Sequence, residues 1–141
     1  MLSSNRFAPP VIAVSLLLRE RLVKRISLAL RASRLVYIAA PGGYGKSVVA
    51  AQSLYYNGKG RHTWLMLNKN DNDPAVFFKR FAGAMVTARG YQKMPAAVQQ
   101  ASSYETLQSW LQTLAPNRYK SILVLDNLHN ITNRELLALL P

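Results

Sequence analysis

Apolar positions follow two different periods along this chain. From Leu16 they recur every three to four residues, at Leu18, Leu22, Ile26 and Ala29 or Leu30, with Arg21, Lys24, Arg25 and Arg31 between them. That period predicts an amphipathic helix. Leu35 to Ala40 is instead a nearly continuous apolar, β-branched run, which predicts a strand buried on both faces, as in a parallel sheet. A helix is predicted from about Gly45 to Tyr56, closed by the C-cap signal Asn57-Gly58. His62 to Leu67 predicts a second strand and Ser121 to Asp126 a third, also buried.

Between those strands, Asn68 to Asp73 is a polar connection, and Asp73-Pro74 supplies an N-cap followed by proline in a first helical turn. The helix it opens runs to about Ala88, with Phe77, Phe78, Phe81, Ala84 and Met85 along one side as a core stripe. Arg89 to Ser103, with Gly90 and Pro95, has mixed polarity and predicts no single element. Leu107, Trp110, Leu111 and Leu114 place a helix over Tyr104 to Leu114, ended by Pro116-Asn117. Thr132 and Glu135 have capping-box spacing, so Thr132 to Leu140 predicts a final helix with Thr132 as its cap. Residues 1–15, with Pro9-Pro10, read as an extended lead-in.

Composition narrows the class without naming a function. The chain has 141 residues, enough for one small domain or part of a larger one, and half of them are apolar. It has no cysteine, which excludes a disulfide framework or a thiolate metal site and fits a reducing, cytoplasmic setting. Neither His62 nor His129 suggests a metal. The formal net charge of +12 suits phosphate-rich ligands, but the cations are spread along the sequence and form no recognition module. DNA binding is therefore not expected of this chain alone. No apolar run reaches the roughly 18 residues of a membrane span. Arg6 ahead of Val11 to Leu18 imitates a targeting signal, but Pro9-Pro10 and the charged Arg19-Glu20-Arg21 argue against one.

Two stretches carry candidate chemistry. The first is Ala40-Pro41-Gly42-Gly43-Tyr44-Gly45-Lys46-Ser47-Val48, a glycine-rich turn between a predicted strand and a predicted helix, which reads as a phosphate-binding loop. Gly42, Gly43 and Gly45 would let the backbone take positive φ and approach an anion. Lys46 would reach the β- and γ-phosphates, and the Ser47 hydroxyl would sit on Mg²⁺. Ala40 holds the place where such loops usually carry their first glycine, and its small side chain suffices there. The second stretch is the Ser121 to Asp126 strand, whose terminal carboxylate suits the magnesium shell of a nucleotide site.

Four places together resemble the large ATP-binding transcriptional regulators of the MalT-like group, signal-transduction ATPases with a LuxR-type helix-turn-helix. They are Leu18-Arg19-Glu20-Arg21-Leu22, the Ala40 to Ser47 loop with its Tyr44, Trp64 to Asn68 leading to Asp71-Asn72-Asp73-Pro74 and Phe77, and Leu123-Val124-Leu125-Asp126-Asn127-Leu128-His129. The resemblance covers the chain from about Leu16 onward. It implies an α/β P-loop NTPase three-layer sandwich with a parallel sheet, incomplete here at about three strands. Residues 16–141 would be the N-terminal part of that ATPase domain, the DNA-binding domain being absent. A later strand is expected between the loop strand and the Asp126 strand, which would leave unpaired backbone edges here.

The resemblance also implies ATP and Mg as cofactors, with Ala40 to Val48 forming the site. Ser47 and, through water, Asp126 would hold the metal, and Arg19 would lie beside the adenine. No catalytic residue is assigned. The family usually places a second acid after the strand aspartate, and this chain has Asn127; a neutral amide cannot accept a proton from water, so binding with weak or no hydrolysis is expected. Asn68 likewise stands where the family has Asp. The function implied is a nucleotide switch within a regulator. Two other readings are a stand-alone P-loop phosphotransferase, and a non-catalytic interaction protein that self-associates or pairs with a full-length relative.

Overall fold

The computed structural model describes residues 7–11, 17–56, 61–90, 96–99, 103–113 and 121–139. The chain divides into two compact units, Pro9–Gly60 and Arg61–Pro141 together with Met1–Ala8. The Asn57-Gly58 cap, Pro95, Leu114, the Pro116-Asn117 stop and Leu140 lie outside the described residues, and the helix predicted from Leu16 starts later, at Glu20, because Leu17 to Arg19 are not helical.

The Pro9–Gly60 unit holds two helices, α1 (Glu20–Ala32) and α2 (Lys46–Tyr56). Val23 and Ser27 are buried, Ile26, Ala29 and Leu30 half-buried, and this side of α1 packs against α2. Arg21, Lys24, Arg25 and Arg31 gather on the solvent side, as the helical period requires. Lys24 pairs with Glu20 one turn away at 3.7 Å, an exposed contact worth about 0.3–0.5 kcal/mol at most. On α2 the buried residues are Val49, Ala51, Gln52, Ser53 and Leu54.

The predicted strand at Leu35 to Ala40 does not form. These residues join no ladder among the described residues, and Leu35 and Tyr37 are 52 % and 73 % exposed. Strand preference expresses packing against neighbouring strands, and a β-branched run without a paired neighbour stays outside any sheet. The alternation survives in part, since Val36 and Ile38 are half-buried while Leu35, Tyr37 and Ala39 are exposed.

The larger unit contains a two-stranded parallel sheet of β1 (Arg61–Met66) and β2 (Ser121–Asp126), in register from Arg61 opposite Ser121 to Met66 opposite Asp126. Its helices are α3 (Pro74–Ala88), α4 (Ala96–Gln99), α5 (Tyr104–Thr113) and α6 (Arg134–Ala138). The architecture is therefore α/β with a parallel sheet, of two strands where about three were expected. A sheet this narrow leaves β2 half-buried along its whole length, against the expectation of full burial, whereas Thr63, Trp64 and Leu65 of β1 are buried.

The α3 stripe is core, as the period indicated. Phe77 and Phe78 are buried with Leu65, Leu67, Ala82, Ala84, Val86 and Leu107, and Phe81 and Met85 pack against that cluster. Asp73 caps α3 by accepting from the Ala75 N–H at 2.9 Å, with Pro74 at the first position. The cap of α6 differs from expectation. Asn133, not Thr132, accepts from the Glu135 and Leu136 amides. Thr132 is drawn off because its own N–H and hydroxyl donate to Asn72 Oδ1.

Candidate functional site

The glycine-rich stretch forms a turn between the Leu35 to Ala40 segment and α2. Gly43 and Gly45 adopt φ of +78° and +74°, conformations that cost an L side chain about 1–2 kcal/mol. Gly42 does not share this conformation, which narrows the expected set of three left-handed glycines to two. The Val49 N–H donates to Gly45 O at 2.9 Å, which makes Gly45 the residue from which α2 starts. Ala40 to Tyr44 are exposed, and Gly45 to Val48 half-buried.

Lys46 sits in the first turn of α2, where the partial positive charge of the helix end disfavours a cation, and no acid lies in that turn. Its Nζ bends back and donates to Ala40 O at 2.8 Å and Pro41 O at 3.0 Å. Both ends of the loop are thereby tied together by one ammonium. Arg19, at the N-terminus of α1, donates from Nη1 to Tyr44 O at 3.0 Å and lies about 3.9 Å from where a Cβ on Gly45 would be. The structure thus brings Arg19 to the loop backbone; the tyrosine contributes its carbonyl while its ring is 62 % exposed.

Sequence reasoning missed a further part of this arrangement. Gln52 on α2 is buried, its Nε2 donates to Leu17 O at 3.3 Å, and its Oε1 has no partner among the described residues. The signal for it was an amide on the inward face of a helix, a placement that a polar residue takes only when something there needs a hydrogen bond.

Asp126 belongs to the other unit and ends β2. Its Oδ1 accepts from the Asn127 N–H at 2.9 Å, and its carbonyl accepts from the Leu67 N–H at 2.9 Å. Asn127 has φ +59°, the left-handed region that asparagine tolerates better than other side chains with a Cβ. The amide at this position suits the sharp turn that leads off the strand.

Around the carboxyl ends of β1 and β2 the unit ties a polar knot, centred on the Asp71-Asn72-Asp73-Pro74 segment. Asn72 Oδ1 accepts from the Thr132 and Asn133 N–H groups at 2.7 and 2.9 Å, and its Nδ2 donates to Asn130 O at 2.9 Å and Lys69 O at 3.0 Å. Asn133 Nδ2 returns a bond to Asn72 O, and Asn130 Nδ2 donates to Leu67 O. Asn68 Oδ1 accepts from the Asn70 N–H while Asp71 Oδ2 accepts from the Asn68 N–H, a reciprocal cap for the 3₁₀ turn Lys69–Asn72. Asp71 is fully buried and paired with Arg80, whose Nη2 also donates to Met66 O at 2.7 Å. Asn68, an unexplained departure in the sequence, thus has a definite structural role. The density of asparagine after both strands was the signal that marked this knot.

Comparison with known proteins adds an independent line. Over 138 residues the chain is 31 % identical to the "HTH-type transcriptional regulator MalT" of Klebsiella pneumoniae and 28 % identical to that of Serratia proteamaculans. Each match takes in 94 % of this chain and 15 % of the relative. The protein of the same name from Vibrio campbellii is 31 % identical over 108 residues, 73 % of this chain and 12 % of the relative. This is a MalT-like chain. The MalT-like chain spans about 15 % of the length of these curated relatives. No family model and no solved structure matches it. Among its described residues, no helix is long and apolar enough to cross a membrane.

Proposed function

We propose that the MalT-like chain binds Mg-ATP through Ala40 to Val48, and that it is the nucleotide-responsive portion of a cytoplasmic transcriptional regulator with a P-loop ATPase fold. The observation that carries this reading is the loop itself. Two left-handed glycines, a lysine folded onto the loop carbonyls and the start of α2 meet in one turn. A cation held in the positive end of a helix with no acid beside it is relieved by an anion.

The residues fit the cofactor chemically. Ser47 offers an oxygen donor of the kind that Mg²⁺ prefers. Lys46 would exchange its carbonyl partners for phosphate oxygens, and the bound nucleotide would supply the charge that holds one arrangement of the regulator over another. Asn127 cannot take a proton from water, so the reading is of binding and exchange with little hydrolysis.

Equilibrium binding of Mg-ATP to the full chain tests it. Lys46→Ala should lower the affinity by about 10- to 100-fold, the worth of a charge-assisted contact to phosphate. Equal binding by wild type and variant refutes the nucleotide reading.

One observation favours a second reading. Leu35 to Ala40 exposes Leu35 and Tyr37 and has no ladder partner among the described residues, which suits a segment that pairs with a strand of another chain. Sedimentation of the chain with and without Mg-ATP separates the two readings, because strand pairing gives concentration-dependent mass without nucleotide.

A further inference from the structure

We infer that Arg19 is a positioning residue for the phosphate-binding loop: by holding Tyr44 O it turns the Gly45 N–H toward the polyphosphate. This inference rests on the proposed nucleotide site and assigns Arg19 a different task from the adenine contact implied by family resemblance.

The geometry begins with the peptide between Tyr44 and Gly45. A trans peptide is planar, and its C=O and N–H point in opposite directions. Arg19 Nη1 holds the carbonyl at 3.0 Å, and the guanidinium lies about 3.9 Å from the Cβ position of Gly45. The Gly45 N–H is therefore turned to the side opposite the guanidinium. It donates to no acceptor among the described residues, and neither does the Gly43 N–H. With φ of +74° at Gly45, this peptide plane can take either of two orientations, whereas a residue with a side chain would favour the opposite one. A fixed partner for the carbonyl removes that freedom.

Arg19 is itself held in place from two sides. Its backbone carbonyl accepts the first helical bond of α1, from the Val23 N–H at 3.0 Å. Two residues earlier, Leu17 O is held by the buried Gln52 amide of α2. The segment that carries the guanidinium is thus anchored to the same helix whose start the loop forms. An arginine suits the task because its planar fork keeps one N–H on a carbonyl while the remaining charge raises the local potential for anions.

Binding of inorganic tripolyphosphate and of ATP, each with Mg²⁺, to the full chain separates a loop-positioning arginine from a base-contacting one. Arg19→Ala should weaken both ligands equally, by about tenfold, since the loss lies in a loop donor to phosphate that both ligands use. Arg19→Lys, which keeps a donor and a charge, should restore most of the affinity. In nitrogen–proton correlation spectra, tripolyphosphate should move the Gly45 amide of wild type strongly and that of Arg19→Ala weakly, while the Ser47 amide moves in both. A loss confined to ATP would make Arg19 a base contact and overturn the inference, as would unchanged binding of both ligands. If wild type binds neither ligand, the nucleotide site itself fails and the inference goes with it. Wild type that binds while Arg19→Ala binds equally well defeats the inference alone.

Discussion

Arg80→Met is expected to lower the urea midpoint of the Arg61–Pro141 unit by about 2 M, because it strands a carboxylate in the core. Asp71 is fully buried, its Oδ2 is held by Arg80 and the Asn68 N–H, and its Oδ1 has no partner among the described residues. Removing one member of a buried ion pair costs about 3–5 kcal/mol, whereas the intact pair contributes far less than that. With an ordinary urea slope of about 1–3 kcal/mol per molar, the change is large against a typical total stability of about 5–15 kcal/mol. Arg80 also holds Met66 O at the end of β1, so the loss reaches the strand that carries the buried Trp64. Tryptophan fluorescence during urea unfolding reads the effect. The double variant Asp71→Asn, Arg80→Met should recover more than half of the shift, since no buried charge is left. A single variant within about 0.5 M of wild type would show that water or rearrangement already serves the carboxylate.

Asn72→Ala should cost nearly as much, by a different route. One side chain accepts from the Thr132 and Asn133 amides and donates to the Asn130 and Lys69 carbonyls. Each bond contributes about 0.5–1.5 kcal/mol, and two of the backbone groups left behind, the Asn133 N–H and the Asn130 carbonyl, are partly buried, so a loss of about 2–4 kcal/mol is expected. Asn72→Asp keeps the acceptor for Thr132 and Asn133 but faces the Asn130 and Lys69 carbonyls with a second acceptor, so it should regain only part of the stability. Amide exchange gives the spatial readout. Protection should fall first at Thr132, Asn133 and the following turn of α6, ahead of the α3 core. Uniform loss across the unit would mean that Asn72 supports the whole fold rather than the joint between two loops.

These two residues show which parts of the molecule were open to reading from sequence. The apolar patterns located α3, α5 and both strands of the sheet because those elements turn apolar side chains inward, as at Phe77, Phe78 and Leu107. Asp73-Pro74 was legible for the same kind of reason, its hydrogen bond being local. Leu35 to Ala40 was not, because a strand is a property of two segments and no described residue pairs with this one. Thr132 was misplaced as a cap because a residue 60 positions away claims its hydroxyl. In the loop, the left-handed glycines at 43 and 45 followed from composition. The cation positions did not: Arg19 reaches across 25 residues to a carbonyl, a contact that no local spacing encodes.

Lys46 gives the loop one more property. Its ammonium already has two oxygens, on Ala40 and Pro41, so the loop acts as its own competing ligand. A phosphate entering the proposed site would compete with those carbonyls, and the measured affinity would then be a difference between two sets of contacts to the same nitrogen. Weak observed binding would then be compatible with strong individual contacts. The same two contacts would keep the shape of the proposed site in place before a guest arrived.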